Sequence, residues 1–321
     1  MSSSIVENIN DLKRKVWNRL RVQKVCQGDA NTPVNMDYIS NPFEIGGIDG
    51  ARRNWDIVND SKVIFHAYWY GKVSRLQVAS INSLFATQES YDYVLWLWLD
   101  EDTFDQNGED NEWMKSIYNN PCIVIKRYNP KKYVMKDSVL SKSMYLFDNS
   151  KKLAMRADGL RIWALHQYGG FYFDLDVMFL RDMGKLILGP EFVYAWEKQV
   201  YANSAIIYLR KGSYLNEYIA RKVNRVHSTQ PWDVFKYDDP GMRPLRLYST
   251  SLFDPIWNDD SEEYYIHNFD EFFKKRLSDF NCEKVFPYSY AYHWHNNWSV
   301  EIEEGSLFAR LESLHAGKLG I

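Results

Sequence analysis

The sequence predicts an α/β fold in which a mostly parallel sheet is flanked by helices. Short β-prone apolar runs alternate along the chain with segments of helical periodicity. Polar side chains follow the ends of several runs, as expected where an α/β sheet binds a ligand at its carboxyl edge. With 321 residues the chain can bury a large core, and one α/β domain with an extension is the simplest division.

Composition argues against several classes of function. The net charge is −3 with 25% charged residues, whereas nucleic-acid binding normally brings a basic excess. We find no secretion signal and no apolar window long enough for a membrane span. The three cysteines are widely spaced, which favours neither a disulfide framework nor a zinc knuckle. These features predict a soluble cytoplasmic protein in a reducing compartment.

Residues 1–60 are expected to form an N-terminal extension, and residues 61–321 the main domain. Apolar residues of helical spacing predict an amphipathic helix near the N-terminus; they are Ile5, Ile9, Leu12, Val16 and Leu20. This helix either packs on the main domain or makes a peripheral contact with an anionic membrane. Prolines and glycines between residues 27 and 59 predict a connecting, loop-rich segment.

The main domain opens with three β-prone runs. Residues 63–71 predict a first strand, in which His66 is expected to be a hydrogen-bonded core histidine. A helical segment at 81–85 follows, and the nearly continuous apolar run 93–100 is typical of a strand buried on both faces. A third short strand is predicted at 122–125, and further strands are predicted at 192–196 and 204–209.

The most informative stretch is 148–182. Apolar residues from Leu153 to Ala164 recur at steps of three and four and predict a helix. Good N-cap candidates precede it, namely Asp148, Asn149 and Ser150. Gly169 and Gly170 are expected to end the helix, because glycine adopts the left-handed conformation of a C-cap. The β-prone run 171–180 then predicts another strand.

Alternation along that run places Tyr172, Asp174 and Asp176 on one side of the strand. Two carboxylates so close repel one another unless a cation, a donor or a proton offsets the charge. Mn²⁺ or Mg²⁺ would do so, because both suit carboxylate and phosphate oxygens. On the preceding helix, Asp158 and Arg161 lie three residues apart and share a flank that could grip hydroxyl groups. The residues indicate a metal and a polyhydroxylated or phosphorylated ligand.

The ordered series Ala157-Asp158-x-x-Arg161, then Gly169-Gly170-x-Tyr172-x-Asp174-x-Asp176, resembles the sugar-binding DXD region of glycosyltransferase family 32. The glucosyltransferase domains of large clostridial toxins carry a similar stretch. The resemblance implies a GT-A fold, which is a Rossmann-like nucleotide-binding sheet. It also implies a nucleotide-sugar donor, a divalent metal between the DXD motif and the diphosphate, and transfer with retention.

Two further segments resemble the same family. The first strand is similar to an Ile-His-x-x-Trp-x-Gly signature, although Phe65 stands where the relatives have Ile and their second glycine and following proline are missing. The match implies that Trp69 stacks on the base, which favours a UDP-sugar over a GDP-sugar; a core tryptophan is the alternative. Asn203 matches a residue whose amide contacts the donor sugar, or else it caps a turn. Tyr172 joins the expected donor-binding set.

A late segment completes the resemblance, because His293 and Trp298 have the family's spacing of five residues. The match implies that His293 joins Asp176 on the metal and that Asn296 supplies an oxygen ligand. It also implies that the Trp298 indole donates to a phosphate oxygen. An imidazole ligand favours Mn²⁺ over Mg²⁺. The alternative is an aromatic-rich strand end whose histidines form hydrogen bonds in the core.

We therefore expect a metal-dependent retaining glycosyltransferase that moves a sugar from a nucleotide donor to a glycan or another hydroxyl acceptor. Its expected catalytic residues are Asp158, Arg161, Asp174 and Asp176, with Asp174 also near the metal. Two alternatives remain open: a metal-dependent nucleotidyl or phosphoryl transferase that uses the same acids, and a carbohydrate-binding protein without turnover. Residues 212–283 carry no assignable site in the sequence.

Overall fold

The computed structural model describes residues 63–148, 152–196, 199–257, 268–275, 285–286 and 288–321. The predicted N-terminal amphipathic helix, the connecting segment and the boundary between residues 60 and 61 lie outside these ranges. Among the described helices, none combines the length and apolar character needed to cross a bilayer.

A seven-stranded sheet lies at the centre of the described structure. The described strands are, in chain order, β1 (Val63–Trp69), β2 (Tyr93–Asp100), β3 (Ile123–Tyr128), β4 (Gly170–Phe173), β5 (Val177–Phe179), β6 (Phe192–Ala195), β7 (Ala202–Leu209), β8 (Arg246–Tyr248) and β9 (Ala291–His293). The central sheet has the order β3-β2-β1-β4-β7-β6-β8, and β7 alone runs antiparallel to its neighbours. The predicted α/β class with a mostly parallel sheet is confirmed.

Helices flank this sheet. The described α-helices are α1 (Arg75–Thr87), α2 (Met114–Tyr118), α3 (Pro130–Tyr133), α4 (Leu153–Tyr168), α5 (Gly184–Ile187), α6 (Tyr214–Val226), α7 (Pro231–Val234) and α8 (Leu307–Leu319). Short 3-10 segments connect them, at Glu101–Asn107, Val134–Lys136, Leu140–Leu146, Pro240–Met242, Thr250–Leu252, Pro255–Trp257 and Phe269–Phe272.

Strand β2 shows why the strands in the first half of the fold could be predicted from the sequence. All eight of its residues are buried between β1 and β3, as its continuous apolar run predicts. Strand β3 extends beyond the predicted 122–125, because Lys126 and Arg127 also pair in parallel with β2. The charge of Lys126 suggested a loop in the sequence. In the structure β3 is an edge strand, and the Lys126 ammonium lies 4.3 Å from the centre of the Trp96 ring, which stabilises the charge there.

The cysteine and histidine predictions have different outcomes. Cys122 is disulfide-bonded, which neither the wide spacing of the cysteines nor the predicted reducing compartment suggested. His66 is a hydrogen-bonded core histidine, as predicted. Its ring lies 3.1 Å from the Gly169 carbonyl oxygen and accepts from the Trp98 indole, and burial lowers its pKa to about 3.

Two glycines form the junction between α4 and β4. Gly169 has a φ of +65° and Gly170 a φ of +97°, so the predicted helix end is confirmed. The expected N-cap residues do not begin this helix, because Lys152 occupies the N-cap position. A Cβ on Gly170 would lie 2.2 Å from the Ile64 carbonyl oxygen, which is fixed in β1. Both backbone conformation and space therefore require glycine.

Gly170→Ala should lower the free energy of unfolding by about 3 kcal/mol, because it adds positive-φ strain to a clash with a central strand. Gly317→Ala is the matched control: it lies in α8, and a Cβ there would meet nothing within 4 Å. Alanine favours a helix interior over glycine by about 1 kcal/mol, so the control should be stabilised. Urea unfolding of both variants checks the pair, and equal midpoints would contradict the role of Gly170.

The predicted continuous strand at 171–180 is wrong. Strand β4 ends at Phe173, and the Val177 N–H donates to the Asp174 carbonyl oxygen at 3.1 Å, which closes a turn between them. The chain then leaves the central sheet as β5 and pairs antiparallel with β9, so that Val177 lies opposite His293. The two acids therefore approach one another through a turn rather than through strand alternation.

Candidate active site

A cleft of about 470 Å³ opens at the carboxyl edge of β1, β4 and β6. It is lined by nine of the residues that the sequence nominated: Trp69, Asp158, Arg161, Asp174, Asp176, Asn203, His293, Asn296 and Trp298. Antiparallel β7 contributes its first residues to the same edge, which explains why Asn203 takes part. Residues more than 200 positions apart in the sequence thus share one cleft.

Asp174, Asp176 and His293 offer ligand atoms that all lie within 4.8 Å of one another. Asp176 Oδ2 accepts the backbone N–H of Asn296 at 2.8 Å and lies 3.2 Å from His293 Nε2. Asp176 Oδ1 is buried without a hydrogen-bond partner. Burial alone would raise the pKa of Asp176, but His293 and the Asn296 N–H lower it below its usual value. A buried, ionised oxygen without a partner suits a cation.

A turn of unusual backbone conformation aims the Asn296 N–H at Asp176. His295 and Asn296 have φ values of +51° and +58°, in the left-handed region that non-glycine residues seldom adopt. Such strain is tolerated where the surrounding structure enforces it, often at functional sites. Here it lets one segment offer both an imidazole and a backbone donor to Asp176.

His293 is held on both sides of its ring. Its Nε2 faces Asp176, while its Nδ1 lies 3.0 Å from the Tyr194 hydroxyl and 3.7 Å from Asp254 Oδ2. Burial lowers the pKa of His293, but Asp176 and Asp254 together raise it to about 10. Because a metal ligand must be deprotonated at the coordinating atom, an ion bound at Nε2 would compete with a proton there.

Arg161 ties the two remaining acids together. Its Nη1 donates to Asp158 Oδ1 at 3.0 Å and to the Ser204 hydroxyl, and its Nη2 donates to both oxygens of Asp174 at 2.9 Å. Burial lowers the pKa of Arg161, but the carboxylates of Asp174 and Asp158 more than offset this effect. The net pKa is raised, so the guanidinium stays charged. Burial raises the pKa of Asp158 to about 7 despite the partly compensating Arg161. The pair predicted to share a helix flank does so, and it also fixes Asp174.

Tyr172 does not line the cleft. It is fully buried, its ring lies 4.7 Å from the Arg161 guanidinium, and its hydroxyl donates to Asp174 Oδ1 at 2.8 Å. The residue therefore supports Asp174 from behind. Its predicted contact with the donor finds no support in this position, because β4 turns the ring into the core.

The nominated tryptophans pack against each other at the β1 side of the cleft. The Trp69 and Trp298 rings meet edge to face with centroids 4.6 Å apart. The Trp298 indole donates to Asn296 Oδ1 at 3.1 Å, and the Trp69 indole donates to the Lys72 carbonyl oxygen at 3.2 Å. Asn203 also lines the cleft, and its Oδ1 accepts the Ala205 N–H at 2.8 Å.

Several residues in or behind the cleft were missed by sequence reasoning. Gln230 donates from Nε2 to Asp158 Oδ2 at 2.9 Å, and no spacing connects residues that are 72 positions apart. Asp254 does not line the cleft but is buried behind it, with Oδ2 2.5 Å from His295 Nε2. A single acid in a segment of low similarity gives no signal. Trp196 and Trp232 also line the cleft. Their aromatic character was visible, but their position was not.

One protein family matches part of the sequence. Residues 74–193 match the family described as the glycosyltransferase sugar-binding region containing DXD motif. No curated protein matches the sequence.

Several solved structures show a remote likeness. The PaToxG glycosyltransferase shares 14% identity over 68% of this chain and 71% of its own, with a TM-score of 0.39. The glycosyltransferase GlyE in Streptococcus pneumoniae TIGR4 shares 11% over 81% and 62%, with a TM-score of 0.44. A galactosyltransferase LgtC in complex with donor and acceptor sugar analogs shares 12% over 78% and 95%, with a TM-score of 0.41. The family match, rather than these structures, shows that residues 74–193 carry a glycosyltransferase sugar-binding region with a DXD motif, and it confirms the resemblance noted in the sequence over that region.

Proposed function

We propose that the protein is a metal-dependent glycosyltransferase that transfers a sugar from a UDP-sugar to a hydroxyl acceptor with retention of configuration. One observation carries the proposal: Asp174, Asp176 and His293 converge in a cleft beside the buried Arg161. The two acids and the arginine belong to the matched sugar-binding region, and His293 comes from a later segment of the chain. The same cleft has aromatic rings on both sides, which suits a nucleotide and a sugar.

The donor set fits a divalent ion. Asp176 Oδ1 is buried and unpartnered, and carboxylate with imidazole is a ligand combination that Mn²⁺ accepts. We propose that Asp176 and His293 hold the ion, with Asn296 as a further oxygen donor and Asp174 near it. A bound Mn²⁺ or Mg²⁺ would supply positive charge that stabilises the departing diphosphate.

The residues of the chain position the donor. Arg161 fixes Asp174 through both carboxylate oxygens, so that Asp174 can orient the ribose or a water ligand. Asp158 is fixed by Arg161 and Gln230 and presents its carboxyl toward the sugar hydroxyls. We assign Trp69 to the base, Asn203 to the donor sugar and Trp298 to a phosphate oxygen. The last assignment requires the Trp298 indole to exchange its Asn296 partner for the phosphate.

The reaction breaks the bond between the anomeric carbon and the diphosphate oxygen and forms one to the acceptor oxygen. The acceptor proton leaves toward the departing diphosphate. Among the described residues, the carboxylates that line the cleft are Asp158, Asp174 and Asp176. Arg161 pairs with Asp158 and Asp174, and Asp176 would hold the ion, so each of the three carboxylates is weakened as a nucleophile. Attack by the acceptor hydroxyl on the face that the diphosphate leaves is therefore our proposed route to retention.

The test is product analysis with a panel of UDP- and GDP-sugars and Mn²⁺. We expect release of UDP from at least one donor and loss of that release in a metal chelator, with recovery when Mn²⁺ is restored. Release of pyrophosphate or inorganic phosphate would instead indicate nucleotidyl or phosphoryl transfer. Full activity in the chelator would exclude metal dependence, and saccharide binding without any product would indicate a binding protein.

A further inference from the structure

The aromatic side chains of the cleft fall on two sides of the proposed metal site. Trp69 ends β1 and Trp196 follows β6, and these strands lie on opposite sides of β4 in the central sheet. The turn that carries Asp174 and Asp176 follows β4 and therefore lies between them. Because the proposed function places the base at Trp69, the β6 side of the cleft remains for the acceptor.

A line of rings leads outward from the metal site on that side. The His293 and His295 rings stack at 3.8 Å, and Trp196 stacks on His295 at 6.4 Å. Tyr201 meets Trp196 at 5.7 Å, and Trp232 meets Tyr201 at 6.5 Å, both nearly edge to face. We name Trp196, Tyr201 and Trp232 the aromatic row. It connects a proposed metal ligand with the mouth of the cleft.

The outer end of the aromatic row is open to water. Trp232 is 46% exposed, and the neighbouring Tyr237 is 40% exposed. Large exposed aromatic faces at a cleft mouth are unfavourable in water and commonly mark a ligand site. Among the tryptophans that line this cleft, Trp232 is the exposed one, because the others are partly buried against neighbouring rings.

Polar groups beside the aromatic row suit a hydroxylated ligand. Gln230, two residues before Trp232, lines the cleft and bonds to Asp158, the acid assigned to sugar hydroxyls. The Tyr237 hydroxyl accepts the Trp196 backbone N–H at 3.4 Å. A pyranose has an apolar C–H face and a rim of hydroxyls, so it matches a flat ring bordered by amide and hydroxyl groups. A lipid tail has no hydroxyl groups with which to bind them.

We propose that the aromatic row is the acceptor subsite and that the acceptor is a saccharide whose ring stacks on Trp232. The sugar would extend from the mouth toward the metal site, with the reacting hydroxyl at the inner end beside Trp196. This inference rests on the proposed function for the direction of transfer, but saccharide binding by the row is measurable without turnover.

The experiment measures binding of lactose, maltose, cellobiose and chitobiose by saturation-transfer NMR, with Mn²⁺ and UDP present. We expect at least one disaccharide to bind, and Trp232→Ala to weaken it by about tenfold or more, the usual cost of removing an aromatic anchor. Trp232→Phe keeps a ring and should retain most of the affinity. The matched control is Tyr214→Ala, which removes a 59% exposed ring outside the cleft and should change nothing.

Three results would overturn the proposal. These are unaltered saccharide binding in Trp232→Ala, no binding of any disaccharide, and a loss of UDP affinity in Trp232→Ala as large as in Trp69→Ala. An equal loss of UDP affinity would mean that the aromatic row binds the nucleotide base and not the acceptor. Circular dichroism confirms that each variant is folded. Saccharide binding without UDP release from any donor would support the row while rejecting the proposed function, so the two can fail separately.

Discussion

Asp176→Asn should reduce sugar transfer by about 10³-fold and abolish tight Mn²⁺ binding, since removal of one electrostatic stabiliser commonly costs 10²–10³. The substitution keeps shape but removes the charge of a buried carboxylate whose Oδ1 has no protein partner. An amide is a far weaker ligand for a divalent ion. Titration calorimetry with Mn²⁺ and UDP release together measure the two losses.

The matched control for this prediction is Asp105→Asn, because the Asp105 side chain is 90% exposed and lies outside the cleft. It should bind Mn²⁺ and release UDP like the unaltered protein. If Asp176→Asn retained Mn²⁺ affinity and transfer, the assignment of Asp176 as a metal ligand would be wrong.

Arg161→Lys should lose at least about 10²-fold in transfer even though the positive charge is kept. The guanidinium contacts Asp158, Asp174 and Ser204 simultaneously, and a single ammonium cannot reproduce a planar fork of donors. At least one carboxylate then loses its partner in a buried setting, which should cost about 3 kcal/mol of stability. Transfer rates at a temperature where circular dichroism shows a folded variant separate the two effects.

Arg221→Lys provides the comparison, since Arg221 forms a surface ion pair with Glu217 and is 71% exposed. It should alter neither stability nor transfer measurably. Equal behaviour of the two Arg→Lys variants would mean that the fork geometry at Arg161 is unimportant.

Local signals in the sequence predicted much of the fold. Strand β2, the helix that carries Asp158 and the two glycines after it follow from apolar periodicity and backbone freedom, which are properties of neighbouring residues. The interrupted strand after Phe173 did not follow, because pairing with β9 decides where the chain leaves the central sheet. That partner lies more than 100 residues away.

The candidate site likewise has residues that the sequence predicted and residues that it did not. Nine nominated residues line one cleft because family resemblance supplied long-range information that spacing alone does not contain. Gln230 and Asp254 were missed, since each acts through a distant partner, Asp158 and His295 respectively. Tyr172 lies behind Arg161 and Asp174 and is not part of the cleft lining, so its role in donor binding stays a prediction.

The ribbon of β5 and β9 makes the ligand set dependent on strand register. Ser80 donates to the Val177 carbonyl oxygen at 2.6 Å, and the Phe179 N–H donates to the Ser83 hydroxyl at 2.8 Å, so α1 fixes the free edge of β5. A slip of β9 by one residue would send His293 to the opposite face and bring Tyr292 or Trp294 against Asp176. Substitutions in α1 that weaken these two hydrogen bonds would therefore remove the proposed activity while every proposed ligand residue remained unchanged.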